Sequence, residues 1–273
     1  TMSEIANYFL YRNAEGETGL SANSIDDLNL DDLFAEIDYC HSSIGRQYLY
    51  YLLLSDKTSG MEKQEALLSS LATHTELRTL LSNSLKELDK PDAYSIVSIL
   101  ENDNTGIGAK EMVLINICRF LPLLFLALML LTHSGVFLIL FVFSFVANAV
   151  LHYRNKAKIQ RYFFSIPQLL KMIRQAGKLA QNKEFISVDP SITTDLKAVE
   201  GLKKYISYFR FNLSLDNDMA IMFYMVAELI RVFFLHEAYA VGRTFHLLKE
   251  KATAIHNVYR FIGFLDSILS VAI

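Results

Sequence analysis

The sequence predicts an all-α protein, and three observations carry that prediction. Its 273 residues contain only 11 Gly and 4 Pro, so helix breakers are sparse. Apolar residues recur at the i, i+3, i+4, i+7 spacing of a helix face, and few stretches alternate with the period of two that a half-buried strand requires. At 52% hydrophobic, the chain also carries more apolar residues than a purely soluble domain needs. The expected architecture is a helical bundle core with long antiparallel lever helices and an apolar, transmembrane-type helical hairpin.

Leu30, Leu33, Phe34 and Ile37 follow the helical spacing and predict a short amphipathic helix. Ser42 and Ser43 then offer hydroxyl oxygens to the N–H groups opening a second helix, residues 44 to 54, with Ile44, Tyr48 and Leu52 along one stripe. Gly45 in its first turn would let another backbone come close. Ser59 followed by Glu62 has the spacing of a capping box. The stripe Leu77, Leu80, Leu81, Leu85 and Leu88 continues the helical pattern to a break at Lys90-Pro91.

From Met112 to Leu151 the chain is largely apolar, interrupted in its middle by "THSG", residues 132 to 135. Each half is close to the roughly 17 to 25 residues a helix needs to cross a bilayer. Arg119 lies near one end, from which its long side chain can reach the interface, and Pro122 is tolerated in membrane helices. A buried core hairpin of a soluble bundle is the alternative. Arg154, Lys156, Lys158 and Arg161 follow the second half, whereas the tip has no Lys or Arg, so the positive-inside rule puts both ends in the cytoplasm. These basic residues are candidates for contact with lipid headgroups or phosphate, and lipid is the nearer partner beside an apolar hairpin.

A helix is expected around Pro167, and another after Pro190 with Ser or Thr caps. Residues 219 to 242 are apolar enough to raise a second membrane question. Glu228, Arg231 and Glu237 cross that stretch, however, and each costs roughly 2.5 to 3.5 kcal/mol near a bilayer centre. A buried soluble helix is therefore predicted, part of one long helix over residues 217 to 249. In the last helix Ile255, Val258, Ile262, Leu265, Leu269 and Ala272 alternate three and four, the seam of a coiled coil. Two such helices side by side would make a strut.

Chemistry-bearing motifs are rejected in turn. "TGIGAKE", residues 105 to 111, lacks the P-loop spacing, and "HEAYA" at His236 lacks the second histidine of a zinc helix. Cys40 and Cys118 support neither a disulfide framework nor a paired zinc site, which fits a reducing compartment. A net charge of −3 excludes nucleic-acid binding by bulk charge. Ser42, Ser43 and Arg46 could hold an anion at a helix start, though capping is the more economical account. No catalytic, cofactor-binding or metal site is assigned within the chain.

"DDLNLDDLFAEIDYCHSSIGRQYLYYLLLSD", residues 26 to 56, resembles the opening of the core domain of the MutS mismatch-repair family, and more closely its membrane-anchored MutS-related branch. In that family an Asp ends one helix, a Ser/Thr-rich turn with a glycine opens the next, and a Leu/Tyr-rich helix follows. Asp38, Ser43, Gly45, Tyr50 and Leu52 fit those places. "EKQEALLSSLATHTELRTLL" resembles the next segment, and "YRFIGFLDSILSVA" the helix by which the core returns before the ATPase domain. The resemblance implies an ABC-type ATPase beyond residue 273 using ATP and magnesium, a homodimer formed through it, and lever helices coupling nucleotide state to DNA. No Phe-x-Glu mismatch-reading domain precedes the core, the basic character of a DNA clamp is absent, and a membrane hairpin interrupts it.

The expected organisation is an N-terminal segment, 1–25; a helical MutS-core-like module, 26–110; the hydrophobic hairpin, 111–153; and a second half of the core with lever helices, 154–273. The Thr1-Met2 start and the uncapped apolar end "FLDSILSVAI" are expected of part of a longer protein. The chain is read as a non-enzymatic core and lever fragment of a DNA mismatch-repair-related ATPase. Its expected partners are its own ATPase domain, a second copy, DNA, and the cell membrane that anchors it facing the cytoplasm. The alternative is a membrane-anchored helical scaffold with no nucleic-acid role.

Overall fold

The computed structural model describes residues 1–16, 19–20, 29–55, 61–100, 108–163, 165–202 and 232–272. Among these the chain is helical, and the only strand-like pairing is an isolated antiparallel bridge between Gly19 and Ser55. Two compact units form: residues 1–101, 164–203 and 250–273 make the first, and residues 102–163 and 204–249 the second. The divisions expected at 25, 110 and 153 follow changes in composition. The units gather segments that are far apart in sequence.

The first unit contains α1 (Met2–Ala14), α2 (Leu30–Ile37), α3 (Ser43–Leu54), α4 (Met61–Thr73), α5 (Thr75–Lys86), a 3-10 turn at Pro91–Ser95 and α6 (Ile96–Leu100). Later in the chain α10 (Ser165–Leu179), α11 (Lys183–Ile186), α12 (Ile192–Glu200) and α14 (Ala252–Val271) complete it. Helix α14 is its axis, packed against α3, α4, α5, α10 and α12. Of the expected seam, Ile255, Val258, Ile262, Leu265 and Leu269 are buried and Ala272 is half-buried. Tyr259, Phe261, Gly263, Asp266 and Ser267 are buried as well, so α14 is covered around most of its circumference and is a core helix.

The close packing of α3 on α14 depends on a reciprocal pair of glycines. A Cβ on Gly263 would overlap Tyr48, and one on Gly45 would collide with the Asp266 side chain. What nears Gly45 is thus a carboxylate, where the sequence suggested a backbone. Helix α1, in the segment to which the sequence assigned no element, buries Tyr8 and Phe9 and packs on α3. In α5, Leu81 and Leu85 are buried while Leu80 faces outward. The Ser59–Glu62 capping box falls outside the described residues.

The second unit contains α7 (Ala109–Cys118), α8 (Leu121–Thr132), α9 (Gly135–Phe163) and α13 (His236–Glu250). Pro122 sits in the first turn of α8, where its missing N–H and fixed φ are accommodated. The hairpin turns at His133, which takes the left-handed conformation (φ 52°) directly after α8. Residues 217 to 231 of the expected long helix lie outside the described ones. In the remainder the helix does not run through: residues 232–234 are helical, Leu235 has φ 47°, and α13 starts at His236. A leucine there costs roughly 1 to 2 kcal/mol, so surrounding contacts must hold it.

Candidate functional site

In the first unit the chain concentrates its polar chemistry at the corner between α2 and α3. The Ser42 hydroxyl accepts from the Gly45 N–H at 2.9 Å and so caps α3 as the sequence suggested. The same hydroxyl donates to Asp266 at 2.5 Å, and the His41 and Ser42 N–H groups donate to that carboxylate at 2.9 and 2.8 Å. One turn further along α14, the Ser270 hydroxyl donates to the Ile37 carbonyl and accepts from the Tyr39 N–H, both at 2.8 Å. Two residues of α14 thus satisfy backbone groups left over at the end of α2 and the start of α3. Burial pushes the Asp266 carboxyl up to about 6, against the pull of its three donors.

The motif residues named from sequence fall around this corner. Asp38 accepts from the Cys40 N–H at 3.1 Å and lies 3.4 Å from the Arg46 guanidinium. Arg46 also reaches Asp89 at 2.7 Å and the Cys40 carbonyl at 3.3 Å. Burial opposes the Arg46 charge, yet its hydrogen bonds to Asp89 and Tyr94 keep its pKa above the ordinary value. As a candidate anion contact, Arg46 therefore has its countercharge supplied from within the fold. The Ser43 hydroxyl donates to the Lys90 carbonyl at 2.9 Å, tying the corner to the turn before Pro91. The Tyr50 hydroxyl donates to Asp31 at 3.0 Å and its ring meets Phe34 edge-on at 5.3 Å. Burial first, then Asp31, pushes that phenol up to about 12. Leu52 is half-buried. Burial raises the Cys40 thiol well above its ordinary range, making it inert.

Sequence reasoning missed Asp266, Ser270 and a buried network beside them. The Tyr259 hydroxyl donates to Gln47 at 2.6 Å, and the Gln47 amide donates to the Glu4 carbonyl at 2.7 Å. Tyr8 lies 4.7 Å from the Tyr259 ring and shares a 2.9 Å hydrogen bond with His256. The one available signal was a carboxylate and serines inside the apolar pattern of α14.

In the second unit, Lys110–Thr132 and Gly135–Arg154 are long and apolar enough to cross a membrane, and only 11% and 17% of their windows are buried. Leu131 is 80% exposed, Phe143 74% and Ile139 70%. A core hairpin of a soluble bundle would hide these side chains. Arg119 stacks its guanidinium over the Phe120 and Tyr239 rings at 4.4 and 4.6 Å, so the charge is sheltered by aromatics. Asn148 donates to the Cys118 carbonyl at 3.1 Å and the Phe233 carbonyl at 3.0 Å. Cys118 is four residues before Pro122, whose absent N–H cannot serve that carbonyl, and Phe233 lies beside the Leu235 break. One side chain thereby meets two helix interruptions.

Arg154 is exposed and pairs with Glu111 at 3.1 Å, joining the two ends of the hairpin. Lys156, Lys158 and Arg161 lie on α9, and their side chains fall outside the described ones. No protein-family model, curated protein or solved structure matches this chain.

Proposed function

We propose that this chain is the core and lever portion of a membrane-tethered, MutS-like protein. In this reading its helices pass conformational change between a C-terminal ATPase domain that uses ATP and magnesium, and DNA or another partner. The observation that carries the reading is the corner. Two of the three stretches that resemble the family, residues 26–56 and 259–272, stand at opposite ends of the sequence, yet Asp266 and Ser270 from the later one grip the joint in the earlier. A displacement applied at the far end of α14 would reach α3 through these bonds and the interlocked glycines, because close-packed helices move as rigid bodies. Homodimerisation and long antiparallel lever helices belong to the same proposal.

The exposed apolar hairpin supports a bilayer anchor, with the basic cluster at Arg154, Lys156, Lys158 and Arg161 on the cytoplasmic side against anionic headgroups. The test is made on the full-length protein. A GxxxxGK[ST] motif after Ile273 and ATP hydrolysis that changes affinity for duplex DNA across a salt series are expected. Absence of that motif from the remaining reading frame eliminates the motor-coupled reading, and equal, weak binding to matched and mismatched duplexes eliminates mismatch recognition.

A further inference from the structure

The segment from Val232 to Leu235 packs against the apolar hairpin. The Phe233 ring lies 6.1 Å from Phe141 and 6.3 Å from Phe145, and its carbonyl accepts from Asn148 at 3.0 Å. Leu235 is fully buried with Ile115, and Met112, Cys118, Leu151 and Tyr239 close around the pair. Phe145 and Phe141 are central in the span Gly135–Arg154. At roughly 1.5 Å per residue Asn148, which holds the Phe233 carbonyl, stands about 9 Å from the Arg154 end, inside a hydrocarbon layer of about 30 Å, with the Phe233 ring reaching further in.

From this juxtaposition we infer that "VFFL", residues 232 to 235, is a re-entrant tip inserted into the bilayer beside the hairpin, an inference that rests on the bilayer reading of that hairpin. The charges at Glu228, Arg231 and Glu237 exclude a full third crossing, but Arg231 and Glu237 flank the tip, so a shallow dip that enters and leaves on one side keeps both charges close to the interface, which their side chains reach. Non-helical backbone at that depth is tolerated only where protein covers it. Leu235, at φ 47°, is completely covered, and the Asn148 amide serves the adjacent carbonyl. Phe234 is 39% exposed and would face the acyl chains.

The experiment attaches a nitroxide at Phe234→Cys in the full chain, with Cys40 and Cys118 replaced by Ala, and reconstitutes it into phosphatidylcholine/phosphatidylglycerol vesicles. Collision rates are read with oxygen and with a water-soluble nickel chelate, and Phe143→Cys and Tyr39→Cys serve as lipid and water references. The expected result is high oxygen collision with loss of chelate collision at 234, as at 143. Strong chelate collision at 234, or neither collision, overturns the re-entrant tip while a lipid-like 143 keeps the anchor. A water-like 143 overturns both.

Discussion

Asp266 is the residue on which the first unit's corner depends. Its carboxylate receives two backbone N–H groups and a hydroxyl in a site with no exposure, and each donor left unserved costs about 1 to 3 kcal/mol. Asp266→Ala should therefore destabilise the chain by about 3 kcal/mol or more, read as a lowered midpoint in chemical denaturation. Its titration has a definite sign. The folded carboxyl is raised to about 6 from 3.8, so the folded state holds the proton more tightly than the unfolded one. That contribution is complete below about pH 4 and is lost as pH rises through about 6, amounting to roughly 3 kcal/mol by the linkage between pKa and stability. Wild type should lose stability relative to Asp266→Asn over that window, and parallel pH curves for the two proteins would refute the assignment.

At the scale of elements, the helices divide by how they are interrupted. Most breaks are written in the sequence: Pro91 opens a 3-10 turn, Pro122 starts α8, and "THSG" ends it. The break at Leu235 is not, because a leucine with positive φ carries no local signature and survives only through its contacts with Ile115 and its neighbours. Asn148 links the two kinds of break. Replacing it with Leu should cost about 1 to 2 kcal/mol, since interhelical hydrogen bonds in membranes seldom contribute more. Thermal unfolding in detergent would measure the loss. Phe143→Arg places a charge on an exposed mid-span position and should cost about 2.5 to 3.5 kcal/mol of insertion, seen as a shift of the protein out of the membrane pellet.

At the scale of the whole molecule, the first unit is assembled from three stretches of chain and the second from two. The hairpin therefore occurs as an insertion in a helical core whose halves are separated in sequence by the second unit. Its topology is testable in intact cells. A cysteine at Ser134, in the tip, should react with an impermeant maleimide from outside, whereas one at the 59% exposed Tyr39 should react only after lysis. The reverse pattern would overturn the orientation drawn from the basic cluster.

The sequence by itself determined the all-helical class, the apolar hairpin and its turn, the cap at Ser42 and the buried face of α14, because these depend on local spacing and composition. Tertiary structure alone decided which partners those elements have. It made α14 a central core helix, placed Asp266 and Ser270 under a corner more than two hundred residues away in sequence, and drew Phe233 against Phe141 and Phe145. The physical reason is that periodicity specifies which face of a helix avoids water but not what covers it, and a buried polar group acquires meaning only from the donors the fold brings to it.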